Sequence, residues 1–208
     1  ILYGRKKKRS DTGIYKSKVQ DQQQIKNSVF LFGDFQVFDN EGVELSQQFT
    51  PKILELFLVV LLHTIKNNKG IKTEKLTSIL WPGFTPHKAA NNRSVSINKL
   101  RKVIENVNGL NFEYNNGYWK VIFEKPCFCD YNETLDVLQS SNTPSKKTME
   151  QFYNLVKRGA FLNELNWEWL EEYRGFIVNE IIDRLMLFTN QLDERDDCFL
   201  LKEIAERI

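Results

Sequence analysis

The chain of 208 residues is poor in the residues on which metal and redox chemistry depend. It has three cysteines, Cys127, Cys129 and Cys198, and an odd number gives no paired disulfide framework. The Cys127-Phe128-Cys129 spacing is wrong for a zinc knuckle, and neither histidine, His63 or His87, lies near it. Reduced thiols, no metal and no cofactor are expected. A phosphate-binding glycine loop, a G-x-S-x-G elbow and a Cys/His dyad at plausible spacing are also missing, so no enzyme is expected. Glu168, Glu171 and Glu172 cluster on one predicted helix, but nothing complementary stands beside them and such glutamates are usually solvated. No apolar run reaches the roughly 18 residues of a membrane span, and the chain as given reads as soluble and cytoplasmic.

Acidic residues are missing from one place in particular. Between Glu74 and Glu105 there are six basic residues and no acid. The net charge of +2 conceals a division: residues 1–28 carry eight Lys/Arg against two acids, residues 29–123 eleven against eight, and residues 124–208 ten against seventeen. A positive middle beside an acidic C-terminal part points to a polyanionic partner for the middle alone. The length suits one large domain or two small ones.

Within the acid-free stretch, Pro86–Ile104 has the pattern of an amphipathic helix. At about 100° per residue, Ala90, Ile97, Leu100 and Ile104 fall on one side. Asn91, Asn92, Val95, Asn98, Lys99 and Lys102 fall on the other, with Ser96 and Arg101 between the faces. Amides can pair with adenine edges, Val95 can meet a thymine methyl, and lysines suit guanine acceptors or phosphates, which together fit a DNA major groove. The same face would be merely solvated on an ordinary surface helix, so its surroundings decide between the two.

Those surroundings order themselves as a compact domain. Val29 to Phe38 is rich in aromatic and β-branched residues and predicts a strand. Asp39–Gly42 predicts a turn, Val43–Leu45 a returning strand, and Gln48–Phe49 a short third one. Thr50-Pro51 predicts a helix start, and Ile53–Ile65 is apolar nearly all round, as a buried helix is. Gly70 supplies its left-handed exit, and Thr73 caps a second helix whose core face is Leu76, Ile79, Leu80 and Trp81. Trp81-Pro82-Gly83 stops it, and Lys88 or Ala89 begins the cationic helix. Leu110–Tyr114 and Tyr118–Phe123 then predict a hairpin around Asn115-Asn116-Gly117. Strands, three helices and a hairpin in this order predict a winged helix-turn-helix with an N-terminal antiparallel sheet.

Four stretches carry a family resemblance: Thr50-Pro51-Lys52 before the apolar helix, Leu80-Trp81 closing the second, Ile97–Lys102 in the third, and Gly117-Tyr118 in the hairpin. Residues 29–123 resemble the winged-helix effector domain of OmpR/PhoB-type response regulators. The resemblance implies double-stranded DNA as partner, with the third helix (about 88–106) in the major groove and the hairpin wing, 110–123, at the adjacent minor groove. It implies base reading by Asn92, Val95 and Lys99, and phosphate contacts by Asn91, Ser96, Asn98 and Arg101. Lys102 and the wing residues Asn115 and Asn116 complete the candidate set, although the wing carries little charge. Arg93 departs from the family pattern, standing where an aliphatic residue is usual, and either snorkels past the helix end or pairs with an acid.

From Tyr131 onward the pattern is helical, at about Asn132–Gln139, Lys147–Lys157, Trp167–Asn190 and Cys198–Arg207, with a loop at Ser140–Ser145. Arg158–Leu162, Trp169-Leu170 and Arg174 resemble the bacterial transcriptional activator domain that follows a winged helix in antibiotic-regulatory-protein-type regulators. This implies an all-α, tetratricopeptide-like domain over 124–208, cut short here, serving RNA polymerase contact or self-association. Trp167, Trp169, Tyr173 and Phe176 are expected to pack between helices.

The first segment, 1–28, is a basic linker. Ile1–Gly4 followed by Arg5–Arg9 resembles the cytoplasmic flank of a membrane helix, but it equally suits a solvated tail, a nucleic-acid arm or an anionic-lipid contact. The chain starts on Ile1 and stops on Ile208 inside an amphipathic pattern, so a fragment of a longer protein is expected. The whole reads as an α+β transcription regulator of bacterial signal transduction, tethered at the inner membrane if a span precedes residue 1. The competing reading is a protein-interaction scaffold whose winged helix no longer binds DNA.

Overall fold

The computed structural model describes residues 25–140 and 144–207. The Arg5–Arg9 cluster and most of the expected linker lie outside the described residues, as does the middle of the Ser140–Ser145 loop. The described chain is mixed α+β, with seven α-helices and two small three-stranded sheets.

In the first sheet, β1 (Ser28–Phe30) and β2 (Gln36–Phe38) pair antiparallel, with Val29 opposite Val37. The strand expected from Val29 to Phe38 is therefore two. The chain leaves the ladder after Phe30 because the Asp130 carboxylate takes the N–H groups of Leu31 and Phe32, at 2.8–3.0 Å. It reverses at Gly33 (φ 79°), where a Cβ would stand 2.9 Å from the Arg158 carbonyl oxygen. Val43–Leu45 makes only a bridge from Glu44 to Phe38, not a strand. The strand expected at Gln48–Phe49 is absent too: Ser46–Gln48 forms a 3-10 turn, and the Ser46 hydroxyl accepts from Val37 N–H at 3.1 Å. The third strand of this sheet, β6 (Phe128–Cys129), comes from far downstream and lies parallel to β1.

Helix α1 (Pro51–Asn67) follows Thr50, which stands in the extended N-cap conformation but makes no side-chain capping bond. Ile53 and the whole run from Leu56 to Leu62 are buried, which makes α1 the central helix. Its left-handed exit is Asn68 (φ 56°) rather than Gly70. Gly70 also has positive φ, but its role is close approach: a Cβ there would run into the Trp119 carbonyl. Helix α2 (Thr73–Leu80) buries Leu76 and Leu80, with Trp81 following. Helix α3 (Pro86–Ile104) begins two residues before the expected start, because Thr85 caps it by accepting from Lys88 N–H. Its dry face is Ala89, Ile97, Leu100 and Ile104, so Ala89 takes the place expected of half-buried Ala90.

In the second sheet, β4 (Leu110–Asn115) and β5 (Tyr118–Phe123) form the expected hairpin. A short strand with no sequence signal, β3 (Ile71–Lys72), pairs with the other edge of β5.

The C-terminal helices are α4 (Asp130–Gln139), α5 (Lys146–Val156), α6 (Glu171–Thr189) and α7 (Cys198–Arg207). The expected helix at Trp167 begins instead with a 3-10 turn at Glu168–Leu170. Helix α4 packs on α5, both pack on α6, and α7 follows α6. They are bonded to the N-terminal sheet and to α1. Leu162 N–H donates to the Leu31 carbonyl, Gly33 N–H to that of Ala160, and Trp169 Nε1 to Glu55 at 3.3 Å. Arg174 ties the connecting loop by donating to the carbonyls of Phe161, Leu162 and Leu165. Buried residues from β1 to α7 form one cluster, and no separate tetratricopeptide-like unit is set off within it. Trp167, Trp169 and Tyr173 pack as expected, whereas Phe176 is 56% exposed. No described helix is long and apolar enough to cross a membrane.

Asp130 is fully buried, and burial raises its carboxyl from 3.8 to about 6 despite the N–H donors and Arg158, which favour the charged form. A carboxyl whose folded value is raised stabilises the fold below its unfolded value, and that contribution is lost as pH rises from about 4 to about 6. The stability difference between wild type and Asp130→Asn should change across this window by up to about 3 kcal/mol, measured by urea denaturation as a function of pH. Asp130→Ala, which orphans two buried N–H groups, should lose roughly 2–5 kcal/mol at neutral pH.

Candidate nucleic-acid interface

Helix α3 lies against α1 and α2 through its aliphatic face, leaving the opposite face open. Val95 is 53% exposed, and Asn91, Asn98, Lys99, Arg101 and Lys102 are exposed around it, with Asn92 and Ser96 half-buried. These residues share one helix, so the structure brings eight of the ten candidates together. Among the described residues, no basic side chain of α3 is ion-paired: the salt bridges all lie elsewhere. Cations that face solvent without an acid partner keep their field available to a polyanion.

The side chains are not equally free. Asn92 donates one amide N–H to the Lys88 carbonyl, at 2.9 Å, leaving its second N–H and its oxygen unbonded. The Asn91 amide lies 3.4 Å from His87 Nδ1. Lys88 sits over the Phe84 ring, 4.4 Å from its centroid. Arg93 neither passes the helix end nor meets an acid. Its guanidinium donates to the Thr77 hydroxyl at 2.8 Å, joining α3 to α2 where an aliphatic contact was expected.

Arg101 turns inward to the wing. Its Nε and Nη2 both donate to the Phe112 carbonyl, at 3.4 and 3.2 Å, and the guanidinium lies 5.9 Å from the Trp119 ring. It thus sets the angle between α3 and β4, in addition to presenting charge near the expected phosphate position.

The wing tip carries the two remaining candidates, Asn115 and Asn116, both exposed. Asn116 (φ 49°) and Gly117 (φ 86°) form the tight turn, with Asn115 paired to Tyr118. Thr73, expected as a helix cap, instead holds this turn. Its N–H and hydroxyl both donate to the Gly117 carbonyl, at 3.0 and 3.1 Å, and its Oγ1 accepts from Trp119 Nε1 at 3.1 Å. The wing is therefore fixed at its tip by α2 and at its side by α3.

Sequence reasoning missed Tyr114. Alternation with Leu110 and Phe112 predicts that it points inward, but the core ends before it. It is 54% exposed and leans on Trp119, its cross-strand partner, at 4.6 Å. Only its position at the strand end signals this exposure. No group of three or more His, Cys, Asp or Glu among the described residues has the geometry of a metal site.

No protein-family model matches the chain, and no curated protein matches it. Among solved structures, it is similar to Mycobacterium tuberculosis EmbR, determined in complex with a low-affinity phosphopeptide. The TM-score is 0.54 and the identity 16%, over 76% of this chain and 43% of that one. EmbR is a regulator that joins an OmpR/PhoB-type winged helix to a bacterial transcriptional activator domain. The likeness is one of fold, and this chain spans less than half the length of that protein.

Thr73→Val, which keeps shape but removes the hydroxyl, should loosen the wing without unfolding the protein. Amide exchange at Gly117–Trp119 should accelerate about fivefold, equivalent to about 1 kcal/mol, while exchange in α1 stays unchanged.

Proposed function

We propose that the chain is the DNA-binding part of a transcription regulator, with α3 seated in the major groove and the β4–β5 wing beside the adjacent minor groove. The observation that carries this reading is the α3 surface itself: amides, Val95 and unpaired lysines on an exposed, acid-free face, braced from behind by buried aliphatic residues. Similarity to the fold of a transcription regulator supports it. In this reading Asn92, Val95 and Lys99 read bases. Asn91, Ser96, Asn98 and Lys102 approach phosphates, and Arg101 does so while bracing the wing. Asn115 and Asn116 meet the minor-groove side through hydrogen bonds rather than charge.

The acidic helices after residue 124 then serve protein contact, either RNA polymerase or a second copy. Exposed Phe176, Val178, Met186, Leu187 and Phe199 give them apolar surface for it. The division at 123/124 is one of role: bonded as they are to β1 and α1, the helices carry the DNA-binding face with them.

Selection of bound duplexes from a random pool, at stated salt, should enrich a defined half-site. Lys99→Ala combined with Lys102→Ala should weaken binding and reduce the slope of log K against log salt by about 2, since each phosphate contact contributes about 0.9. No enrichment, with binding indifferent to both lysines, would favour the scaffold reading.

A further inference from the structure

A cavity of about 280 Å³ lies at the seam between the winged helix and the helices that follow it. Its walls are Leu62 and Ile65 of α1, Leu135 of α4 and Phe176 of α6. The Lys66–Glu172 ion pair, 2.6 Å long, stands at its rim. Its volume is nearly twice the roughly 150 Å³ of an engineered apolar cavity that holds benzene, so one substituted ring fits. Small-molecule sites favour such positions between packed units, where apolar walls surround a few directed polar groups.

The directed groups here are two phenols, beside the amide of Gln139. Tyr131 of α4 is only 3% exposed, with its ring packed on Phe32 and Phe161, and it lines the cavity. Its hydroxyl makes no hydrogen bond with any described residue and is not sealed from solvent. Tyr173 of α6 approaches His63 Nδ1 at 3.4 Å. That nitrogen lies 2.8 Å from the Val59 carbonyl, which can only accept, so Nδ1 carries the proton. Tyr173 is then an acceptor toward His63, and its own O–H stays free to donate. Burial holds both phenols protonated, Tyr173 at about 12 and Tyr131 higher still. The cavity thus offers two O–H donors and the Gln139 amide among mostly apolar walls, while its two rim charges are already neutralised by each other.

We propose that this seam is a binding site for a small, uncharged apolar molecule: a single ring or short chain bearing a carbonyl-type acceptor oxygen, which takes the Tyr131 hydroxyl and, on its second lone pair, that of Tyr173. An anion would have to compete with Glu172 for Lys66, and a cation with Lys66 for Glu172. The site does not rest on the DNA-binding reading. Its walls nevertheless come from α1, which supports α3, so occupancy braces the two parts of the chain against each other.

Acetophenone and ethylbenzene are matched probes, alike in size and differing in the acceptor oxygen. With the full chain labelled at Ile and Leu methyls, titration with acetophenone should shift the resonances of Leu62, Ile65 and Leu135, and ethylbenzene should bind more weakly. Tyr131→Phe should weaken acetophenone about fivefold and leave ethylbenzene unchanged, the loss expected for one neutral hydrogen bond. Leu135→Phe, with its fold verified by an unchanged methyl spectrum elsewhere, should exclude both probes. Absence of shifts at these methyls up to the solubility limit of both probes overturns the site. Equal affinity of the two probes, or no response to Tyr131→Phe, overturns the assignment of an acceptor-bearing ligand.

Discussion

The fold depends on one buried carboxylate. Asp130 opens α4 and accepts from the backbone N–H groups of Leu31 and Phe32, a hundred residues earlier in the chain. Those two groups would otherwise be stranded where β1 ends and the chain turns back through Gly33. The same junction places β6 alongside β1 and lets the loop of Ala160 to Leu162 pair with the backbone on either side of Phe32. A buried donor left alone costs far more than a made bond contributes, so the three segments specify one another's position. The acidic helices consequently cannot swing freely beneath the winged helix. They extend the same hydrophobic core.

That rigidity bears on the DNA-facing surface. Helix α3 rests on α1, and α1 is held on its other side by Tyr173, Trp169 and the Lys66–Glu172 pair. The wing is held to α2 by Thr73 and to α3 by Arg101. The two wing connections use a backbone carbonyl as partner, which fixes an angle as well as a distance. A surface that must match the groove spacing of a duplex benefits from this kind of support. The charge division follows the same plan. Cations on α3 are engaged in none of the salt bridges among the described residues, whereas Glu171, Glu172 and Asp197 of the C-terminal part are.

Much of the architecture was legible because burial and turn chemistry act locally. The apolar run Leu56–Leu62 could only be a buried helix, and Asn116-Gly117 could only be a tight turn between two aromatic strands. The amide and lysine face of α3 followed from helical periodicity alone. The N-terminal sheet misled for an identifiable reason. Val29–Phe38 has strand composition on both sides of Gly33-Asp34, and a carboxylate from residue 130 removes two N–H groups from the ladder just before that turn. Strand β3 is two residues long and has no pattern to detect. Thr73 had the sequence of a cap, yet its hydroxyl found a carbonyl forty-four residues away.

The sequence by itself determined which faces are dry, which are charged and where the chain turns, since each depends on residues within a turn or two of one another. Only the tertiary structure decided what Asp130, Thr73, Arg93 and Arg101 do. Each has several possible hydrogen-bond partners, and the choice among them is made by distant backbone brought close when the core closes. The seam between Tyr131 and Tyr173 belongs to the same class: two phenols forty-two residues apart line one cavity only because α4 and α6 pack together beside Leu62 and Ile65 of α1.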